Sequence, residues 1–99
     1  MSKASLERQL AEGTDRLRRL REDLRIADEQ LLHFADEAED LRIRATVSDS
    51  PMAQREHRDA ARHAQAMTKH RDDLRAEIGR LETRQDELLD EYSATSSDR

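Results

Sequence analysis

Apolar residues recur at alternating spacings of three and four along most of the chain, and this repeat constrains the fold more than any other feature. In the first half the repeat runs through Leu6, Leu10, Gly13, Leu17, Leu20, Leu24, Ala27, Leu31, Phe34, Ala38, Leu41 and Ala45. In the second half it runs through Ala53, His57, Ala60, Ala64, Met67, Arg71, Leu74, Ile78, Leu81, Gln85, Leu88 and Tyr92. Such spacing places side chains along one stripe of a helix. We call these positions the seam, and they predict two long helices.

The two ladders are separated by a cluster of turn-forming residues that ends in Ser50 and Pro51. Proline suits the first position of a helix, and the preceding serine can act as its N-cap. The prediction is a helical hairpin over residues 1–92, with helix 1 at about 3–47, a loop at 48–50 and helix 2 at about 51–92. Residues 93–99 are rich in serine and threonine and are predicted to form a disordered tail.

A loop this short forces the two helices to run antiparallel. The seam residues then pair so that their numbers sum to 98, as Leu20 and Ile78 do. Large or polar seam residues face small ones in the pairs Phe34 with Ala64, Arg71 with Ala27, and Gln85 with Gly13. The predicted fold class is therefore all-α, a two-helix antiparallel coiled-coil hairpin. Because one seam leaves little stability after the entropy of ordering, we also expect a partner surface or assembly into a four-helix dimer.

Composition excludes several classes of protein. Two glycines, one proline and 2% aromatic residues among 99 do not suit a sheet with many turns. The chain has no cysteine, which rules out disulfides and thiolate chemistry. A net charge of -5 makes nucleic acid an unlikely partner, and the N-terminus has no apolar run typical of a signal peptide or membrane span. The expected location is the cytoplasm.

Motifs for catalysis and for metal binding are missing from the sequence. It has no glycine-rich phosphate loop and no serine or cysteine nucleophile motif. His63 and His70 are seven residues apart, which separates them by about 10.5 Å along a helix, too far to share one metal ion. A two-helix coiled coil also lacks a deep pocket in which carboxylates acquire shifted pKa values. We therefore expect no enzymatic activity, no cofactor and no bound metal.

Charges are distributed unevenly along both helices. Residues 28–40 contain six acids and no lysine or arginine, whereas residues 55–71 contain five basic residues and two acids. Folding the chain brings these stretches together, with Arg44 beside Glu56 and Glu37 beside His63. At the other end of the hairpin the pairing sets like charges side by side: Arg16 with Arg84, Arg21 with Arg75, and Asp23 with Glu77.

Residues for binding a partner are predicted near the loop. Leu32, Ile43 and Val47 lie on the side of helix 1 opposite its seam, and Asp49 is at the apex. Arg55, Arg58 and Arg62 recur at helical spacing and form a basic patch. Two functions remain open. The chain is either an interaction or regulatory module that presents the hairpin tip to a larger protein, or a structural coiled coil that binds a second copy of itself.

A hairpin of this length resembles in outline the coiled-coil finger of the Gre and DksA transcription factors, which insert an acidic tip into the secondary channel of RNA polymerase. Those tips carry paired acids, whereas the loop here has Asp49 alone between Ser48 and Ser50. The resemblance implies the transcription machinery as one partner for the tip.

Overall fold

The computed structural model describes residues 1–97, and these form two α-helices, α1 (Lys3–Ser48) and α2 (Pro51–Ser97). The described residues contain no strand, and the helices run antiparallel, so the predicted fold class is confirmed. The chain divides into two compact units, to each of which both helices contribute. We call residues 24–73 the loop unit, and residues 1–23 with those from 74 onward the terminal unit. In the part of the chain that is described, neither helix has a stretch long and apolar enough to cross a bilayer.

The connection between the helices is held by backbone and side-chain hydrogen bonds. The Asp49 N–H donates to the carbonyl of Ala45 at 3.2 Å, and Asp49 adopts a φ of 52°. The Ala53 N–H donates to the Ser50 hydroxyl at 3.0 Å, so Ser50 is the N-cap of α2 as predicted. The Gln54 amide donates to the same Ala45 carbonyl at 3.1 Å and ties α2 to the end of α1.

The left-handed backbone conformation of Asp49 predicts how a substitution at this position changes stability. Glycine adopts this conformation without the steric cost that a Cβ brings. We expect Asp49→Gly to stabilise the protein by about 1 kcal/mol, which corresponds to a rise in Tm of about 4 °C or more. Thermal denaturation followed by circular dichroism measures this change. The matched variant Asp49→Ala keeps the Cβ, and an equal rise in its Tm would show that backbone conformation is not the cause.

Helix α2 ends later than the sequence predicts. It was expected to stop at residue 92 and to be followed by a disordered tail, yet residues 93–97 continue the helix. The Thr95 hydroxyl donates to the carbonyl of Glu91 at 2.9 Å, and Thr95 is half-buried. Serine and threonine lower helix propensity only slightly, and no glycine or proline interrupts this segment. The last two positions of the predicted tail, 98 and 99, lie outside the described residues.

Every seam residue of both helices is buried or half-buried. The depth of burial differs between the units. The terminal unit buries the large residues Leu6, Leu17, Leu20, Leu74, Ile78 and Leu88. In the loop unit the residues buried to this degree are Ala27 and Ala45. The large side chains with this depth of burial therefore all lie in the terminal unit.

A polar layer interrupts the leucines of the terminal unit. The Gln85 amide nitrogen crosses to α1 and donates to the Leu10 carbonyl at 3.0 Å and to the Thr14 hydroxyl at 3.3 Å. A Cβ added at Gly13 would lie 2.5 Å from Gln85 Cδ, so the glutamine needs the space that glycine leaves. The predicted pairing of Gly13 with Gln85 is thus present. The Gln85 Oε1 atom is buried without a hydrogen-bond partner in the described residues.

Three of the arginines predicted to face like charges in the terminal unit pair with carboxylates instead. Arg16 forms an ion pair with Glu77, and the Arg21 guanidinium lies 4.0 Å from the Glu82 carboxylate, both across the helices. Arg84 pairs with Glu87 on its own helix at 3.2 Å. Long arginine side chains reach carboxylates along the facing helix, so the repulsion between these arginines is relieved without a second molecule.

Candidate protein-interaction surface

The seam of the loop unit is only half covered. Leu31, Phe34 and Leu41 on α1 are half-buried, whereas their counterparts in the terminal unit include fully buried leucines. Part of the cause lies in α2, where the seam residue that pairs with Phe34 is Ala64. A methyl group covers little of a phenylalanine ring on the facing helix, so part of the apolar surface stays in contact with water.

This incomplete covering leaves an open groove of about 460 Å³ along one side of the seam, which we call the loop-unit groove. Its apolar floor and polar rim are formed by Phe34, Glu37, Leu41, Glu56, Asp59, Ala60 and His63. Phe34 is predicted to face Ala64, and its ring packs on the ring of His63, the residue before Ala64, with centroids 4.2 Å apart. The predicted proximity of Glu37 and His63 is present, since both line the groove.

The rim of the loop-unit groove carries unneutralised negative charge. Within residues 1–97, neither Glu37 nor Glu56 forms an ion pair with a lysine or arginine, and both are exposed. No ion pair joins Arg44 to Glu56 in this part of the chain, although the sequence places them side by side. Asp59, the third carboxylate of the groove, pairs with Arg62 on the same helix.

Other charges of the loop unit are satisfied within single helices, as Asp59 is. The Arg42 guanidinium donates to Glu39 at 2.7 Å, and this hydrogen bond lowers the pKa of the Glu39 carboxyl. Lys69 donates to Asp73 at 2.8 Å, and that hydrogen bond raises the pKa of the Lys69 ammonium. Such exposed pairs contribute little to stability. These pairs engage basic groups within their own helices, and neither pair involves Glu37 or Glu56.

The partner-binding residues predicted from sequence are all exposed. Leu32, Ile43 and Val47 are 66%, 48% and 82% exposed. Leu32 and Ile43 lie eleven residues apart on α1, about 16 Å along the helix. Asp49, Arg55 and Arg58 are exposed at or just after the loop, and Arg62 is engaged by Asp59.

Sequence reasoning missed two features of this surface. Met52 is 70% exposed directly after the loop, and its position outside the seam was the available signal. The loop-unit groove was also missed, although a signal existed in Ala64, the small α2 seam residue that pairs with the bulky Phe34. The size difference predicts room for the phenylalanine ring, and the groove that the ring lines is open.

Among residues 1–97, no three histidine or carboxylate side chains are arranged to hold a metal ion. The chemistry available to the groove is therefore apolar contact on its floor and charge–charge attraction at its rim. Comparison of the chain with protein-family models, with curated protein sequences and with solved structures finds no match.

Proposed function

We propose that this chain is a non-enzymatic protein-interaction module that presents its loop unit to a larger protein. The observation that carries the proposal is the difference in burial between the units. The terminal unit buries most of its seam leucines, whereas the loop unit leaves Phe34 and Leu41 half-buried in the lining of a groove. Apolar surface that a protein leaves open in one region is typical of a binding site.

Further exposed apolar residues support the same region as the contact surface. Val47 and Met52 flank the two-residue loop and are among the most exposed large apolar side chains of the described chain. A partner that covers them would remove apolar surface from water at about 25 cal/mol for each Å². The terminal unit, with its buried leucines, would act as the scaffold that keeps the two helices paired.

The hairpin resembles transcription-factor fingers in outline, so the transcription machinery is one partner to test. The proposed location of this interaction is the cytoplasm. Asp49 would be the residue at the tip that such a partner meets. Because Asp49→Gly removes the carboxylate and is expected to stabilise the loop, a loss of binding in this variant would be due to the missing charge.

A second candidate function is structural self-assembly. It is favoured by Leu32 and Ile43, which are exposed on α1 outside the loop-unit groove, and by Leu89, which is 50% exposed in the terminal unit. Light scattering at several concentrations separates the two functions. A chain that stays monomeric at every concentration supports the interaction module. A dimer or tetramer that survives dilution supports self-assembly.

The proposed function predicts that partner capture depends on the loop unit. We expect the double variant Val47→Asp/Met52→Asp to lose more than nine-tenths of the proteins that the wild-type chain captures from native cytoplasm. Both side chains are mostly exposed, so circular dichroism should show an intact helical fold. The measurement is quantitative mass spectrometry after affinity capture.

The control for this experiment is Leu89→Asp, which places an aspartate at an exposed leucine of the terminal unit. We expect this variant to capture the wild-type set of proteins. If the loop-unit double variant also keeps that set, or if Leu89→Asp loses it to the same extent, the contact surface is not in the loop unit and the proposed function fails.

A further inference from the structure

We infer that the loop-unit groove binds an amphipathic helix of a partner protein and that this helix carries positive charge. The inference rests on the proposed function and adds the chemistry of the partner. It is drawn from three properties of the groove. These are its apolar floor, the rim carboxylates that form no ion pair, and the exposed apolar side chain that lies beside it towards the loop.

The floor of the groove suits the apolar face of a helix. Phe34, Leu41 and Ala60 supply apolar surface from both α1 and α2, and the groove has a volume of about 460 Å³. This volume lies in the range of pockets that enclose small ligands, so it can receive two or three side chains. A helix that lies in such a groove inserts residues spaced by three or four positions. Packing of this kind would complete the seam that the α2 alanines leave open.

The rim of the groove selects the charge of the partner. Glu37 borders it from α1 and Glu56 borders it from α2, and neither has an ion-pair partner within residues 1–97. Arginine or lysine residues beside the inserted apolar side chains would reach these carboxylates. Charge-assisted hydrogen bonds between guanidinium and carboxylate are stronger than neutral ones, especially beside an apolar floor.

The same surface continues beyond the groove on α2. Met52 precedes Glu56 by four residues, so it extends towards the loop a row that already borders the groove. Met52 is exposed, and so is Asp40, which lies one turn from Glu37 on α1. The extended face therefore adds an apolar side chain on α2, and a further carboxylate lies near the rim on α1.

A second copy of this chain is not the occupant that the charges favour. A two-fold dimer brings the same face of both copies together, so the acidic residues Glu37, Asp40 and Glu56 of one copy would share an interface with those of the other. The exposed Arg55 precedes Glu56 by one residue and so lies about 100° around α2 from the groove rim. Docking of that basic face into the groove would be a head-to-tail contact, which gives a ring or a filament and not a two-fold dimer.

The test selects a partner helix without assuming its sequence. A display library of helical peptides is built with apolar residues at positions spaced by three and four and with flanking positions that vary among Lys, Arg, Glu, Asp, Gln and Ser. Selection on the immobilised full chain is expected to enrich lysine and arginine at the flanking positions. If no peptide is enriched, or if the enriched peptides are neutral or acidic, the inference is overturned.

The best peptide then locates the site by fluorescence anisotropy. We expect Glu37→Lys and Glu56→Lys each to weaken its binding by at least tenfold. The matched control is Asp36→Lys, which makes the same charge change one residue away and about 100° around α1, and it should weaken binding less than threefold. Equal effects of Asp36→Lys and Glu37→Lys would show that binding follows net charge and not the groove.

Failure of this inference is distinguishable from failure of the proposed function. If Val47→Asp/Met52→Asp abolishes partner capture while the selected peptides are not basic, the interaction module stands and the chemistry of its partner is different. If the basic peptides bind but the rim substitutions do not affect them, the groove is not their site. If Glu56→Lys does not fold, the neutral variant Glu56→Gln replaces it in the binding experiment. Glu56→Gln is also expected to weaken peptide binding.

Discussion

Leu20→Ala should lower the free energy of unfolding by about 3 kcal/mol, whereas Leu41→Ala should lower it by about 1 kcal/mol. Leu20 is only 7% exposed among the buried apolar residues of the terminal unit. Truncation of its side chain therefore leaves a cavity in apolar surroundings. Leu41 is half-buried at the floor of the loop-unit groove, and its loss enlarges a space that water already enters. The same substitution is thus expected to have unequal effects.

Urea denaturation followed by far-ultraviolet circular dichroism measures both changes, with the slope of the transition compared among variants. A change in slope would indicate that the units unfold separately, and the comparison would then be made from the transition of each unit. Equal losses for Leu20→Ala and Leu41→Ala would contradict the difference in packing between the units. That result would also remove the observation on which the proposed function depends.

Gln85→Ala should destabilise the protein by about 2 kcal/mol, although glutamine is a polar residue in an apolar seam. The substitution removes the hydrogen bonds to the Leu10 carbonyl and the Thr14 hydroxyl. It also empties the layer, because Gly13 on the facing helix has no side chain to fill the space. Lost packing and lost hydrogen bonds therefore act in the same direction.

The variant Gln85→Met separates these two causes. Methionine has nearly the length and flexibility of glutamine, so it fills the space beside Gly13 without donating a hydrogen bond. It also removes the buried Oε1 atom that lacks a partner. We expect Gln85→Met to lie within about 0.5 kcal/mol of wild type in the same denaturation experiment. A loss as large as that of Gln85→Ala would show that the hydrogen bonds, and not the packing, stabilise this layer.

The fold could be predicted because its signals are local and periodic. The spacing of leucines defined both helices, and Pro51 with Ser50 defined the start of α2. The small size of Gly13 identified its pairing with Gln85 across the helices. Each of these signals depends on residue type and position alone, without knowledge of side-chain conformation.

The ion pairs and the groove depend on side-chain conformation, which spacing does not determine. Helical positions put Arg16 beside Arg84, but the guanidinium extends far enough to reach Glu77 instead. The size difference between Phe34 and Ala64 does not determine which way the phenylalanine ring turns. The ring packs on His63 and lines an open groove, and neither feature follows from the spacing of residues.

The glutamine layer also decides how the two arms of the terminal unit align. Leucines repeated every three and four residues would allow one arm to slide along the other by seven positions and still meet leucine. Such a slip would bring Gln85 opposite Leu6 or Leu20, which are buried in apolar surroundings. Its amide would then lose the Leu10 carbonyl and the Thr14 hydroxyl, at a cost of about 1 to 3 kcal/mol. One amide opposite a glycine therefore selects a single alignment from those that the leucines permit.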